Sequence, residues 1–340
     1  MHGDVRSIGD PDHSGVRSPS DGPDRERGQG HRPVPGSTVL PVSSEVTRRL
    51  TPPPRYHFGA SVGPLLVPKH DPCGRFTGTD FWMAARTPDG PATLHLTRDL
   101  TATGYGPGAE WIIDRADAVA GLRDDLDGFA ELAAAHPLVA RLAKTFSGVR
   151  MPATGLVFPR VLRAILEQKV TGKEAHRSYR AICRALGEPA PGPADLVLPP
   201  DPAAIAAMSY WEFHPFGVEQ RRTQALLRAA LVAGRLERCA DSAEATRRLV
   251  ALPGIGPWTA AEVVRVAYGD ADAVSVGDFH IPNTVAWALA GEARGTDARM
   301  LELLEPFRGH RGRVCDLLAH GGIGAPKFGP RMPIRSFARF

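Results

Sequence analysis

A turn with two glycines, Leu252-Pro253-Gly254-Ile255-Gly256, constrains the fold of this chain more than any other feature. Upstream, Asp241–Glu244 has the capping-box pattern that opens a helix. The glycines end that helix, because glycine enters left-handed backbone conformations at little cost. Pro257 suits the first turn of a second helix, which runs to about Tyr268. The sequence therefore predicts a helix, a hairpin and a second helix at about residues 241–268.

The hairpin is a candidate binding site for an anion. Its backbone N–H groups lie at the start of the second helix, where the first N–H groups have no intrahelical acceptor. Phosphate oxygens bind well at such a place, because the helix dipole also favours negative charge there. An ordinary connection between two helices has the same local pattern, so the hairpin alone leaves both interpretations open.

The second helix is predicted to have a core face and an opposite face that borders a cleft or solvent. At 100° per residue, the small and branched apolar residues fall on one side. They are Ala260, Val263, Val264 and Ala267. Trp258, Glu262 and Arg265 fall on the other side. Asp278 follows about ten residues after this helix and just before a helix entered through Pro282. An aspartate there is typical of an N-cap, and capping does not prevent catalysis.

These residues resemble the helix-hairpin-helix–GPD superfamily of DNA base-excision glycosylases, and within it the 3-methyladenine DNA glycosylase II group. LPGIGPWTA matches the hairpin of that family, and Asp278 falls at the place of its catalytic aspartate. The resemblance implies a mainly α fold with a small N-terminal α/β domain, in which two helical subdomains flank a cleft. Branches that also cleave the DNA backbone have a lysine where this chain has Trp258, so the resemblance implies base removal only.

The resemblance also implies roles for individual residues. Asp278 would be catalytic, and Trp258, Glu262 and Phe307 would line the pocket for the damaged base. Lys169, with Gln168 sharing the role, would be the wedge that fills the gap left by the extruded base. The DNA-binding hairpin would consist of Leu252, Pro253, Gly254, Ile255, Gly256 and Thr259.

Four of these residues have a second interpretation. Glu262 either forms a surface pair with Arg265 at i,i+3 or contacts the flipped base, where relatives have an aromatic residue. Phe307 is either a core residue or a wall of the base pocket. Gln168 and Lys169 either form the wedge or belong to a plain interhelical loop, in which the charge of Lys169 suits a phosphate contact.

The charge distribution and the cysteine content limit which partners and cofactors this chain can have. The chain has 340 residues and a formal net charge of +4. Residues 307–340 contain seven Lys/Arg and one acid, which indicates either a polyanionic partner or a solvated tail. The four cysteines are far apart, and Cys315 alone lies near the C-terminus. We therefore expect no disulfide framework and no zinc site. Some members of the family that this chain resembles hold an iron–sulfur cluster with four closely spaced C-terminal cysteines, so we also expect no such cluster here.

Changes in composition along the chain indicate four segments. Residues 1–55 are rich in proline and glycine and lack periodicity, which predicts disorder. Residues 56–130 predict a small α/β domain, and residues 131–320 predict the helical part. Residues 321–340 form a basic C-terminal tail.

Local patterns place elements in two of these segments. In the α/β segment, Phe81–Arg86 and Ala92–Arg98 predict strands around a turn, and Glu110–Leu122 predicts a helix. In the helical segment, Thr171–Glu174 is a second capping box and Gly187 is a helix end.

The family resemblance implies a monofunctional DNA glycosylase of base excision repair that acts on alkylated purines such as 3-methyladenine and 7-methylguanine. Such bases are cations, so stacking on Trp258 would add a cation–π contact. The alternatives are a glycosylase for another modified base and a non-catalytic helix-hairpin-helix DNA-binding protein. We expect double-stranded DNA with a damaged base as partner, a monovalent cation at the hairpin without side-chain metal ligands, a monomer, and a cytoplasmic location without a membrane segment.

Overall fold

The computed structural model describes residues 44–326, which begin with a β-sheet domain. Five antiparallel strands form one sheet in the order β1-β5-β4-β3-β2. The strands are β1 (Glu45–Arg49), β2 (Gly74–Phe76), β3 (Asp80–Thr87), β4 (Gly90–Thr97) and β5 (Thr101–Tyr105). Three short helices and a 3-10 turn accompany them: α1 (Phe58–Val62), Gly63–Leu65, α2 (Ala109–Ile113) and α3 (Ala116–Val119).

The β3–β4 hairpin confirms the two strands predicted from the sequence. Thr87 pairs with Gly90 across the turn, and the Thr87 hydroxyl donates to the Gly90 carbonyl at 2.7 Å. On β4, Ala92, Leu94 and Leu96 are fully buried on one face of the sheet. On the other face Thr93 is buried as well, whereas His95 and Thr97 are half-buried. This period of two turns one face of the sheet toward an apolar cluster that includes α2.

Two predictions for this region were wrong in their bounds. Disorder was predicted through residue 55, but Glu45–Arg49 pairs along its length with β5; residues 1–43 lie outside the described range. One helix was predicted over Glu110–Leu122, but the chain forms α2 and α3 instead. The helix is interrupted because Arg115 leaves helical geometry, with φ −110° and ψ 0°, and its guanidinium lies over the Trp111 ring.

The remainder of the described chain is helical. Its first helices are α4 (Phe129–Ala133), α5 (Pro137–Thr145), α6 (Phe158–Leu166), α7 (Gly172–Leu186), α8 (Pro202–Ala206), α9 (Gln220–Leu231) and α10 (Ala233–Leu236). The later ones are α11 (Ser242–Val250), α12 (Pro257–Ala267), α13 (Ile281–Ala290), α14 (Asp297–Leu304) and α15 (Arg311–His320). Tyr210–Phe216 and Glu305–Phe307 are 3-10 helices.

The helices contribute to two separate apolar clusters. One is built by α6, α7, α9, α11 and α12. The other is built by α4, α5, α13, α14 and α15. A mainly α fold with a small sheet domain is therefore confirmed, whereas two subdomains flanking a cleft remains a prediction. Across residues 44–326 no helix combines the length and the apolar character needed to cross a bilayer.

Helix α11, the glycine turn and α12 form the predicted helix–hairpin–helix unit. The Asp241 carboxylate caps α11 by accepting the Glu244 N–H at 2.7 Å, and Pro257 opens α12. The two glycines of the turn differ in what they require. Gly254 has φ +97°, and a Cβ there would lie 2.7 Å from the Ala225 Cβ. Gly256 is extended, with φ −105° and ψ −179°, and a Cβ there would meet nothing within 4 Å.

These two glycines give a matched pair of variants. Gly254→Ala should lower the free energy of unfolding by about 2–3 kcal/mol, because alanine is strained at positive φ and collides with Ala225. Gly256→Ala should change it by less than about 1 kcal/mol, since its backbone suits any residue. Urea unfolding of both variants measures the difference.

Gly256→Ala also tests whether the hairpin contacts a DNA phosphate, as the sequence predicts. Gly256→Ala should weaken binding to duplex DNA although the fold is intact, because the added methyl group occupies the open space beside the hairpin. Unchanged DNA affinity in folded Gly256→Ala would show that no phosphate approaches this residue.

Candidate functional site

The hairpin is anchored from inside and open at its tip. Ile255 and Thr259 are buried in the first helical cluster or beside it, whereas Pro253 and Gly254 are exposed. Leu252 is half-buried and packs against the same cluster. Within residues 44–326, the N–H groups of Gly254 and Gly256 have no hydrogen-bond acceptor. The predicted anion-binding amides are therefore available for a ligand.

The α6–α7 loop lies against this hairpin. The Gln168 side-chain amide donates to the Gly254 carbonyl at 3.0 Å and to the Thr259 hydroxyl at 2.9 Å. Lys169 is exposed and has φ +54°, an uncommon conformation for a residue with a side chain. Of the two residues predicted to form the wedge, Gln168 therefore braces the hairpin and Lys169 forms the exposed tip of the loop.

Asp278 lies at the start of α13, as predicted, and its carboxylate accepts three N–H donors. Oδ1 accepts the backbone N–H groups of His280 at 2.7 Å and Ile281 at 2.9 Å. Oδ2 accepts the indole N–H of Trp258 at 3.0 Å. A carboxylate has about four acceptor positions, so roughly one stays open for water or substrate. A carboxylate fixed in this way can stabilise a neighbouring positive charge and orient a water molecule.

Glu262 follows Trp258 by one turn on α12 and is only 8% exposed. Its carboxylate accepts hydrogen bonds from Arg160 at 2.5 Å, Arg265 at 3.0 Å and the Ser275 hydroxyl at 2.7 Å. The predicted pair with Arg265 is present, but it is not a surface pair. The helix face that the sequence assigned to a cleft or solvent thus carries a buried ion pair.

The positive charges around Glu262 lower its pKa by more than burial raises it. Burial alone would raise its pKa, but the guanidinium groups of Arg265 and Arg160 lower the pKa to about 2. Arg265 in turn donates to Asp316 at 2.5 Å, and Asp316, followed by Glu262, raises the pKa of Arg265. Arg160, Glu262, Arg265 and Asp316 therefore form a continuous chain of alternating charges.

This chain borders a cavity of about 410 Å³. Small-molecule sites have volumes of about 300–1,000 Å³, so the cavity can hold a single base. Its lining comes from six parts of the chain: α1 with the 3-10 turn after it, Leu126 with the start of α4, the end of α5 with the segment Ser147–Pro152, α6, α12 and α15. Glu262 belongs to its wall. Trp258, which was predicted to line the base pocket, and Asp278 are not among the described residues that line it; Trp258 lies one turn before Glu262 on α12 and holds Asp278 beside the cavity wall.

Two predictions for the C-terminal part of the chain change: the role of Phe307 as a wall of the base pocket, and the number of basic residues that are free to contact a polyanion. Phe307 is 2% exposed, packs in the second helical cluster and is absent from the described lining of the cavity, so we assign it to the core. Three basic residues of the basic stretch are paired within the fold: Arg308 with Glu305, Arg311 with Asp272, and Arg313 with Asp124. Lys327 and the later arginines lie outside the described residues.

Sequence reasoning missed most of the cavity. Arg150, Arg160, Arg163 and Asp316 line it but come from three separate segments, and none belongs to a recognisable motif. The sequence does contain one indication that Arg160 and Arg163 are buried. Both lie inside an otherwise apolar helix of nine residues. A charged residue on the apolar face of a short helix is seldom buried without a partner.

The low pKa of Glu262 predicts a pH-dependent stability. Its folded-state pKa lies below the ordinary value of 4.5, so its contribution is present above pH 4.5 and is lost as pH falls toward 2. Between pH 5 and 2 the wild type should lose roughly 3 kcal/mol more than Glu262→Gln, because the other carboxylates are common to both proteins. Urea unfolding at stepped pH measures this, and parallel pH curves would contradict it.

No protein-family model matches the sequence, and no curated protein sequence matches it. Solved structures do match. The 3-methyladenine DNA glycosylase from Archaeoglobus fulgidus gives a TM-score of 0.67 at 16% identity, covering 81% of this chain and 98% of that chain. The apo 8-oxoguanine glycosylase/lyase from Clostridium acetobutylicum gives 0.61 at 11% identity, covering 81% and 95%.

A third structure, MBOgg1 in complex with a low-affinity DNA ligand, gives a TM-score of 0.61 at 15% identity, covering 82% of this chain and 95% of that chain. All three neighbours are helix-hairpin-helix DNA glycosylases. Each is covered over nearly its whole length, so the similarity extends beyond the hairpin to the sheet domain and the helices. The chain therefore has the fold of the helix-hairpin-helix DNA glycosylases.

Proposed function

We propose that this chain is a monofunctional DNA glycosylase of base excision repair, which hydrolyses the N-glycosidic bond of a flipped-out damaged base. The observation that carries the proposal is the placement of Asp278. Its carboxylate is fixed by Trp258 and by the first N–H groups of α13, and it follows the open hairpin along the chain. The likeness of the fold to DNA glycosylases supports it.

The chemistry needs a fixed negative charge. A base in the duplex stack must swing outward before an enzyme can reach its sugar bond. When that bond breaks, positive charge develops on the sugar, as in glycoside hydrolysis. A carboxylate at about 4 Å, with an effective dielectric near 20, contributes roughly 4 kcal/mol. That amounts to about a thousandfold in rate. The open acceptor position of Asp278 would orient the attacking water.

Trp258 supports base removal without cleavage of the DNA backbone. Strand cleavage through a covalent intermediate with the sugar needs an amine nucleophile that forms a Schiff base. The indole nitrogen of Trp258 cannot act in that way, and its N–H is committed to Asp278. This fits the implication of the sequence that the chain belongs with the monofunctional branches.

DNA would bind through the hairpin. The unpaired amides of Gly254 and Gly256 would bind phosphate oxygens, and Lys169 would enter or flank the duplex near the extruded base. The carbonyl oxygens of Val250 and Ile255 accept no hydrogen bond within the described chain, which suits a bridging monovalent cation. We further propose a monomeric cytoplasmic enzyme without an iron–sulfur cluster.

Alkylated purines are the substrates that the sequence motif implies. One similar structure is named for 3-methyladenine, and another for 8-oxoguanine. A second substrate class, neutral bases with carbonyl oxygens, is favoured by one observation, the arginine-rich lining of the cavity.

Asp278→Asn tests catalysis against DNA binding alone. Base release should fall about a thousandfold, because the charge beside the sugar is lost. Folding should be nearly unchanged, since asparagine caps helices about as well as aspartate. Asp297→Asn, on α14 at the same loop, is the matched control and should keep activity. Release is measured from single-lesion duplexes under single-turnover conditions. Equal release by Asp278→Asn and the wild type would reject the catalytic role and leave a DNA-binding protein.

Trp258→Phe separates the two roles of the indole. If Trp258 positions Asp278 through its N–H, kcat should fall roughly tenfold to a hundredfold with KM nearly unchanged, because a hydrogen bond to a charged group is lost. If the ring acts only by stacking on the base, phenylalanine should largely replace it. Trp211→Phe, at an exposed tryptophan, controls for the substitution itself.

A further inference from the structure

The charge on the cavity wall is the strongest clue to the substrate. Among the described residues that line it are five arginines, Arg150, Arg160, Arg163, Arg265 and Arg313, and three acids, Glu167, Glu262 and Asp316. Asp124 pairs with Arg313 and brings the count of carboxylates to four. This set of described residues therefore has five positive and four negative side chains, a surplus of one positive charge.

None of the three lining carboxylates is free to receive a cation. Glu262 is held by Arg160 and Arg265, and Asp316 is held by Arg265. Glu167 lies 3.6 Å from Arg160 and 3.5 Å from Arg163. A cationic base entering the cavity would compete with guanidinium groups for acids that already have partners.

Arg150 forms no salt bridge in the described chain, although the charge of Asp124 acts on its guanidinium from a distance. Its Nη1 donates to the backbone carbonyls of Ser147 at 2.7 Å and Val149 at 3.1 Å. Burial, the largest influence, lowers the pKa of its guanidinium. Backbone carbonyl groups stabilise the guanidinium of Arg150 without neutralising its charge. That charge can therefore attract acceptor atoms on a ligand.

The positive charge of the cavity wall affects bond cleavage differently for neutral and for cationic bases. When the N-glycosidic bond of a neutral base breaks, its electron pair stays on the base nitrogen, the base leaves as an anion, and a water-derived hydroxyl joins the sugar carbon. The departing anion then takes up a proton. Arginines around the base would stabilise the negative charge that develops on it. A cationic base leaves neutral, and the same arginines oppose its entry.

We infer that the cavity selects neutral damaged bases with carbonyl oxygens over cationic alkylated purines. The inference rests on the proposed glycosylase function and revises the substrate class that the sequence motif implies. Oxidised guanine and deaminated adenine share the required chemistry, a neutral purine with an exocyclic oxygen.

The test compares matched lesions in one duplex. Wild-type protein is titrated with duplexes that contain 8-oxoguanine or 7-methylguanine opposite cytosine, both as 2′-fluoro nucleosides so that the base stays attached. Backbone contacts are common to both. The neutral lesion should bind roughly thirtyfold more tightly, the effect of one surplus charge at about 8 Å and an effective dielectric near 20. A hypoxanthine duplex separates deaminated from oxidised bases.

Arg150→Met tests the origin of the preference. Removing this charge should reduce the ratio of the two affinities about thirtyfold, to near one, whereas Arg150→Lys should keep most of the ratio. Arg184→Met, at an exposed position on α7, controls for the general loss of positive charge toward DNA. Thermal unfolding confirms that each variant is folded; if Arg150→Met is not, the wild-type comparison alone decides.

Base release is measured separately with ordinary deoxynucleosides, as kcat/KM. Tighter binding and higher kcat/KM for the neutral lesions support the inference. Equal or tighter binding of the 7-methylguanine duplex overturns it and leaves the glycosylase function intact. Preferential binding of the neutral lesion without release of any base would reject the glycosylase function while the binding selectivity of the cavity stands.

Discussion

A chain of alternating charges, Arg160–Glu262–Arg265–Asp316, connects α6, α12 and α15. Its first two residues are buried and its last two are half-buried. Burying charges is costly unless each finds a partner with good geometry, and removal of one partner leaves a buried charge uncompensated. The positions of these three helices are therefore coupled. Because α6 and α12 belong to one apolar cluster and α15 to the other, the charge chain joins the two helical cores at the cavity.

Helix α12 is the element on which the binding and reactive groups depend together. The hairpin runs into its N-terminus, Trp258 in its first turn orients Asp278, and Glu262 one turn later fixes the cavity wall. A shift of α12 would move all three at once. The ion pairs of Glu262 and Arg265 act in the middle and the C-terminal half of α12, so they hold the helix by the same face that carries Trp258 in its first turn.

Features that depend on neighbours in sequence could be predicted. The glycine turn, Pro257 and Asp278 all act within a few residues of their own position, and the β3–β4 hairpin follows from alternation and a turn. The burial of Glu262 could not be predicted, because Arg160 lies 102 residues away and periodicity treats every charge as solvent-facing. β1 was missed for the same reason, since Glu45–Arg49 becomes a strand only by pairing with β5.

Local and distant contacts would serve different parts of the substrate in the proposed reaction. Asp278 would act on the deoxyribose, which every nucleotide shares, and a short motif is sufficient to place it. The cavity would act on the base, which differs between lesions, and its wall is assembled from six parts of the chain. Substitutions in the wall can therefore change the charge that the base meets while the carboxylate, the indole and the hairpin stay in place. In the proposed glycosylase, the motif around Asp278 would set the bond that is broken, and the charge of the distant arginines would set which base is released.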